Sequence, residues 1–483
     1  MNLKSFRRNL YVVLFSTACV LLSCRCSSPS ASNKEYLEMF DWVVKTYKEN
    51  DAGYAYYLKQ KGAADIEKQT TLSRQKIARA ASEAEAVGEI NAWLHGFRTG
   101  HTGLFPKTRV PDANAKKLDI TETDFRRYLE DNRTSLHPVE GVWETRDFVV
   151  GIMRNTGNAG QFRVFMLNDK NGYGYEPSTH IADCFESDNG SWESVFYMKN
   201  NQAASPFYWL GESKGVLYMQ RLYWIKQSPE VRFSPEDEVY RMQITDKPFL
   251  LALNDKTLYL RIHSFMSQEK AGLDRLLAEN DRKIRAASNL IIDIRNGTGG
   301  SDYSHFGLLP YYYTQPIRNI NHSHYATGLS VKTYEKYAEE CKDDPQLADT
   351  FRKKAAELRE NIGKYVQVPL AGIISGYRTS AYPERIAVIF NRRNASADES
   401  FLYMARQSYK VKLFGEPTAG AFNVSNIAFV DSPDGKYTLW IAQSVSKVFP
   451  EYTIDDIGIQ PDFYIDKEVA DWIGYTRSVI EAR

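Results

Sequence analysis

Cysteine is scarce in this sequence, 5 among 483 residues, and the five show neither metal-ligand spacing nor a dense disulfide framework. Charge imbalance is nearly absent. Lys and Arg number 61 against 60 for Asp and Glu, a formal +1 at pH 7, so no net field draws the chain to nucleic acid or to an anionic bilayer. Histidine is limited to 8 residues. No internal repeat or low-complexity tract occurs, and beyond residue 22 no apolar run is long enough to span a bilayer. These absences exclude a zinc-ribbon module, a basic nucleic-acid binder and a polytopic membrane protein. What is there is an ordinary globular balance, 43% hydrophobic and 25% charged, which rules out wholesale disorder, collagen and coiled coil. A length of 483 residues predicts two or three domains with a sizeable core. Aromatics reach 13%, with 31 Tyr, and rings in that number suit sheets and clefts that hold peptides or sugars.

The first residues have a different character. Lys4, Arg7 and Arg8 precede an apolar stretch, Leu10 to Leu22, shorter than the roughly 20 residues of a membrane-spanning helix and suited to a secretory signal. It closes on Leu21-Leu22-Ser23-Cys24, which resembles a bacterial lipobox. That resemblance implies removal of residues 1–23, acylation of Cys24, and attachment to a membrane through the lipid. Residues 24–35, Ser-rich, then read as a tether. Arg25, rather than Asp, follows the cysteine. By resemblance to Gram-negative lipoproteins this favours the outer membrane, facing the periplasm. Cys184 and Cys341 would be free to pair in such a compartment, but nothing in the sequence demands it.

Along the chain, residues 36–117 read as helical. Tyr36, Phe40, Val43 and Tyr47 recur at helical steps, and Thr71 to Phe97 repeats the period with Leu72, Ile77, Ala80, Val87, Ile90 and Leu94. Residues 118–248 change to short aromatic and β-branched runs between polar turns: 147–153, 161–167, 194–198, 207–210 and 216–225. They predict an antiparallel sheet or small barrel. Residues 249–483 alternate strands and helices, as an α/β core does, with a polar helical insertion over 332–364.

Three segments could carry chemistry. In NLIIDIRNGTGG (289–300) an apolar strand runs into a glycine-rich loop. Glycine allows positive φ and close backbone approach, and such a loop can aim N–H groups at a developing oxyanion; it also reads as a plain tight turn. In RNASADESFLY (393–403) Ser396 stands at a strand-to-helix turn, where its hydroxyl is presented beside the first N–H groups of the helix. The same Ser396 with Glu399 fits a capping box. In RTGHTGLF (98–105) His101 lies between two glycines, free to reach a cleft and to act as a base near neutral pH.

Together and in this order, the segments resemble the C-terminal processing (tail-specific) serine peptidases. GHTGL is similar to that family's DGHT-type segment, IIDIRNGTGG to its DLRxNxGG loop, and NASADES to its TASAxE nucleophile turn. FGEPTAGAFN (414–423) is similar to its GxxTxG segment, and IDDIGIQPD (454–462) to its closing G-[IV]-x-P-D stretch. The match covers the N-terminal helices and the chain from about 257 onward. Residues 118–248 do not resemble the PDZ domain that many members carry there. The Lys of the family's Ser/Lys dyad is replaced by Ala421, so the resemblance points to the tricorn-core-like Ser/His branch.

The resemblance implies an α/β, ClpP/crotonase-like peptidase core with an N-terminal helical segment and an inserted antiparallel β-rich domain. It implies Ser396 as nucleophile, His101 as base, and Asp455, where better-known members have Glu, as the group that steadies the imidazolium directly or through another polar group. Neighbouring Asp456 is an unsuited substitute. Gly299 or Gly300 and Ala397 would supply oxyanion N–H groups. Asp398 departs from the small residue usual at its position and would either repel a substrate carboxylate or hold a nearby loop. Glu399 would support the helix start. No metal or cofactor is implied, and the partner is a polypeptide substrate. The alternative is a non-catalytic binder of peptides or lipophilic ligands on the same fold.

Overall fold

The computed structural model describes residues 31–107, 115–158, 160–186, 191–198, 201–211, 213–367, 372–466 and 468–482. The signal-like stretch and Cys24 lie outside the described residues. Among those described, no helix is long and apolar enough to cross a membrane.

Four helices open the chain: α1 (Ala31–Asn50), α2 (Tyr54–Lys61), α3 (Ala63–Ile77) and α4 (Glu83–His95). Phe40, Val43 and Tyr47, three of the predicted stripe residues, are fully buried, packed with Ile77, Ile90 and Leu94. The single helical period predicted over 71–97 is broken in two. Ser82 caps α4 by accepting the Glu85 N–H (3.2 Å), and the Glu85 carboxylate accepts the Ala81 N–H (2.8 Å). This reciprocal pair satisfies donors that an uninterrupted helix would have used internally. Strand β1 (Gly103–Pro106) follows directly on the His101 turn.

After α5 (Glu122–Asp131), eight strands close into a barrel: β2 (Gly141–Glu144), β3 (Phe148–Arg154), β4 (Gln161–Asp169), β5 (His180–Glu186), β6 (Trp192–Met198), β7 (Asn201–Leu210), β8 (Val216–Met219) and β9 (Leu222–Ser228). Strand β9 returns to pair with β2, so no edge is left open. Trp143, Phe162, Val164, Trp192, Phe207 and Trp224 fill the inside. An eight-stranded barrel has an interior about the width of its own side chains; these residues, most of them aromatic, are its core. Cys184 is buried there as a free thiol, and Cys341 is free as well.

The short helix α6 (Glu238–Arg241) leads to the main sheet: β10 (Phe249–Ala252), β11 (Thr257–Arg261), α7 (Lys270–Ile284) and β12 (Asn289–Asp293). The glycine loop follows, then α8 (Asp302–His305), α9 (Leu309–Tyr312), β13 (Ile317–Arg318) and β14 (His322–Tyr325). A helical hairpin comes next, α10 (Gly328–Glu340) and α11 (Pro345–Glu360), with β15 (Tyr365–Gln367) and β16 (Ile373–Ile374) after it. The chain ends with β17 (Arg385–Phe390), α12 (Ala397–Ala405), β18 (Val411–Gly415), β19 (Val424–Asp431), β20 (Tyr437–Ser446), β21 (Phe463–Tyr464) and α13 (Trp472–Glu481).

The main sheet runs β10-β11-β12-β17-β18-β21, parallel except for β10. Strands β11 and β12 at its centre are buried along their whole length, as strands covered on both faces are. One face packs on α7 and α12, the other on α13 and barrel residues Leu210, Val216, Tyr223 and Ile225. A second sheet contains β1, β14, β15, β19 and β20. It ties the N-terminal helices and the helical hairpin to the core. The molecule is thus mixed α/β, with a helical N-terminus and a β-rich domain.

Candidate active site

The C-terminal ends of β12 and β17, neighbours in the main sheet, each run into a loop and then a helix. In an open α/β sheet this is where chemistry is placed. Ser396 occupies the turn before α12 with φ +58° and ψ −118°. A residue with a Cβ rarely holds such a backbone, which costs of order 1–3 kcal/mol and persists where the surroundings enforce it. Here they do. The Ser396 N–H donates to the Ala421 carbonyl (3.0 Å) and to Glu399 Oε2 (3.0 Å). The second of these bonds is the backbone half of the predicted capping box. The hydroxyl is thereby lifted onto the head of the helix, partly exposed.

Glu399 is fully buried and accepts further hydrogen bonds from Thr418 Oγ1 (2.5 Å) and from the N–H groups of Gly420 (2.8 Å) and Ala421 (2.9 Å). Burial pushes its carboxyl up to about 7 against the pull of those donors. Glu399 therefore pins the 418–421 segment beneath Ser396, more than the helix-start role read from sequence. Gly420, at φ +72°, fits there because a Cβ would lie 2.7 Å from the Asp456 nitrogen and 2.8 Å from the Ile454 oxygen.

The glycine loop packs against the same helix start. A Cβ on Gly299 would lie 2.8 Å from Ser396 Cβ and 3.1 Å from the Ala397 nitrogen, so the two backbones touch. The Gly299 N–H is already taken: it donates to Asp398 Oδ2 at 3.2 Å. Among the described residues, no hydrogen bond occupies the N–H of Ala397 or Gly300. Of the two glycines read as oxyanion donors, Gly300 keeps a free N–H and Gly299 does not. Asp398 itself is 1% exposed, so it holds the loop and does not confront a substrate carboxylate.

His101 has φ +54°, on the turn that ends the N-terminal helices. Its Nδ1 lies 2.7 Å from the Val424 carbonyl oxygen. A carbonyl only accepts, so Nδ1 carries the proton and Nε2 is left as the basic nitrogen. Burial lowers the imidazole to about 4, with Arg98 and His322 adding to the shift and the Val424 bond opposing it. The ring is neutral at pH 7. Gly100, beside it, packs so tightly on Ala421 that a Cβ would come within 2.4 Å of the Ala421 side chain. Ala421 thus joins the two candidates, with its carbonyl on Ser396 and its methyl on the His101 turn. No hydrogen bond joins the Ser396 hydroxyl to the imidazole; in unliganded sites such contacts are commonly long and close on substrate.

No hydrogen bond or ion pair joins Asp455 to the His101 ring. Its Oδ1 accepts the N–H groups of Phe422 and Asn423 (both 2.6 Å), and its Oδ2 accepts that of Val424 (3.0 Å). The Val424 residue whose N–H it accepts is the one whose carbonyl meets His101 Nδ1. Asp456 anchors the turn from another side, accepting the Thr99 N–H (3.0 Å) and hydroxyl (2.5 Å).

The sequence reading missed the support beneath this turn. Arg98, 1% exposed, forms a forked ion pair with buried Asp51 (2.8 and 2.6 Å) and donates to the carbonyls of Gly100 (3.0 Å) and His101 (3.2 Å). The reading also passed over His322, whose Nε2 lies 3.1 Å from the Phe422 oxygen. Neither carries a local signal, because Asp51 lies 47 positions from Arg98 and Phe422 lies 100 from His322. Among the described residues, no group of His, Cys, Asp and Glu could hold a metal ion.

Residues 256–465 match the model of Peptidase family S41. Among solved structures, mature CPAF complexed with lactacystin superposes with a TM-score of 0.54 at 13% identity, covering 94% of this chain and 98% of that one. A second structure of mature CPAF gives 0.50 at 12% identity, covering 93% and 96%. At such identities the likeness is one of fold, and it extends over nearly the whole of both chains. No curated protein matches the sequence.

Proposed function

Because residues 256–465 make the core of this chain a serine-type peptidase of family S41, we propose that it is an endopeptidase of the C-terminal processing kind, with Ser396 as nucleophile and His101 as base. The observation that carries the assignment of Ser396 is its backbone. A serine at φ +58°, ψ −118° between a parallel strand and a buried helix is a nucleophile elbow in geometry, and an ordinary helix cap needs no such strain.

In this reading His101 Nε2 takes the Ser396 hydroxyl proton as the oxygen attacks a peptide carbonyl carbon. The negative charge moves to the carbonyl oxygen, facing the N–H groups of Ala397 and Gly300. The imidazolium then gives its proton to the departing amine, and water, activated by the same nitrogen, frees the acyl group. Asp455 is a positioning residue: it fixes Val424, whose carbonyl keeps the Nδ1 proton in place. Ala421 stands where the Ser/Lys branch has its lysine, which supports the Ser/His arrangement.

We extend the reading to the N-terminus. The lipobox-like sequence ending at Cys24 supports a lipid-anchored envelope enzyme facing the periplasm, with polypeptide substrates. An unfolded polypeptide incubated with the protein and analysed by mass spectrometry tests the activity: discrete cuts lost in Ser396→Ala are expected, and cuts that persist in that variant refute the assignment. Incorporation of labelled fatty acid that disappears in Cys24→Ser tests the anchor, and unchanged incorporation refutes it.

A further inference from the structure

The acyl-transfer chemistry leaves two buried carboxyls of α12, Asp398 and Glu399, without a step of their own, and Asp398 is the one turned to the glycine loop. Asp398 lies two residues after Ser396, on the first turn of α12. Its Oδ2 accepts the Gly299 N–H (3.2 Å) and Asn394 Nδ2 (2.8 Å), and the same amide nitrogen donates to the Ile294 carbonyl (2.6 Å). A Cβ on Gly297 would lie 2.6 Å from that carboxyl oxygen. The Asp398 carboxyl, with the Asn394 amide beside it, thus closes the gap between loop and helix, and the carboxyl ties together the two backbones read as the oxyanion cradle.

We propose that Asp398 is a positioning residue of that cradle: it holds the glycine loop by the Gly299 N–H, leaves Gly300 and Ala397 as the pair facing the carbonyl oxygen, and limits acylation at high pH through its own negative charge. The inference rests on the serine-peptidase reading above. The clamp survives protonation, because the oxygen of an uncharged carboxyl also accepts an N–H. What protonation removes is an anion one hydrogen bond away from the loop that must stabilise a second anion. Two like charges sharing a small, water-poor site oppose each other strongly.

Burial pushes the Asp398 carboxyl up to about 7, opposed by Asn394, Gly299, Ala395 and Arg261. The charged and titratable groups on the surrounding elements are few. Arg261 on β11 is spent on the carbonyls of Ile262, Asp293 and Arg295. Asp293 and Arg295, at the end of β12, pair with each other. Asp302 and His305 lie on α8, which packs on α12. Glu399, the helix neighbour, titrates in the same range but faces Thr418 and Gly420. Substitution at 398 separates the two carboxyls.

The test compares the full-length protein with Asp398→Asn and Asp398→Ser, following fluorophosphonate acylation and peptide kcat/KM from about pH 5 to 9. The wild type is expected to lose about tenfold or more above neutrality, and Asp398→Asn to stay within about twofold of its own value at low pH. Asp398→Ser, which loses the clamp, is expected to be flat but lower in kcat with little change in KM. If the asparagine variant does not fold, a flat serine profile supports the proposal and a retained alkaline fall overturns it. A wild-type profile without that fall, or an unchanged fall in Asp398→Asn, overturns this proposal alone. Absence of any Ser396-dependent acylation in the wild type overturns it together with the reading beneath it.

Discussion

His101 and Val424 are joined by a hydrogen bond of 2.7 Å from the imidazole Nδ1 to the backbone carbonyl. The orienting partner of the imidazole is thus a peptide group, and the carboxylate of Asp455 stands one step behind it, on the N–H of the same residue. A peptide carbonyl fixes the tautomer without bringing a full negative charge against the ring, which fits an imidazole lowered to about 4 by burial.

That arrangement sets the acid limb of activity. Below about pH 4 the base is protonated, so kcat/KM is expected to fall about tenfold per unit there and to be level from about pH 5 to neutrality. The stability sign runs the same way. The folded-state value lies below that of an unfolded histidine, so the unfolded chain binds more protons between the two, and stability falls as pH drops from about 6.5 toward 4. A kcat/KM profile with its acid midpoint near 6.5 would contradict the burial of His101.

Asp455→Ala is expected to leave three buried N–H groups unpaired, at about 1–3 kcal/mol each. Chemical denaturation should show a loss of several kcal/mol. Where the variant remains folded, kcat should drop with KM little changed, because Val424 no longer holds the ring. A stable variant with full kcat would remove Asp455 from the site.

Arg98→Met breaks the buried pair with Asp51 and frees the carbonyls of Gly100 and His101. Leaving one member of such a pair uncompensated costs about 3–5 kcal/mol. Thermal unfolding should fall accordingly, and Arg98→Lys, which cannot make the fork, should rescue little. Full rescue by lysine would argue that charge alone matters.

Gly299→Ala adds a methyl at φ +88°, 2.6 Å from the Ala395 carbonyl and 2.8 Å from Ser396 Cβ. The cradle should be pushed off the helix head, with kcat lowered by about a hundredfold or more, the scale at which losing one oxyanion donor is felt. Near wild-type turnover would show that the loop does not face the reaction.

How much of this was legible in the sequence follows from how local each signal is. Phe40, Val43 and Tyr47 announced their helix because burial at helical steps is written in neighbouring residues. Ser396, His101 and the glycines stand out as candidates because each sits on a turn with a short motif. The β8–β9 hairpin was read as one run over 216–225, because its turn places Gln220 and Arg221 at positive φ with no Gly or Asn to mark it. The role of Asp398 has no local mark, since its partner Gly299 lies 99 positions away. Arg98 and Asp51 passed unnoticed for the same reason: a buried pair 47 positions apart has no sequence pattern.

The most direct test of the central claim is the rate of fluorophosphonate labelling at neutral pH in the wild type, Ser396→Ala and His101→Ala, with the adduct located by peptide mass spectrometry. The account predicts one adduct, on Ser396, absent from Ser396→Ala and formed about a hundredfold or more slowly in His101→Ala. A folded wild type that takes no label, or labelling that proceeds unchanged without the His101 imidazole, would contradict it.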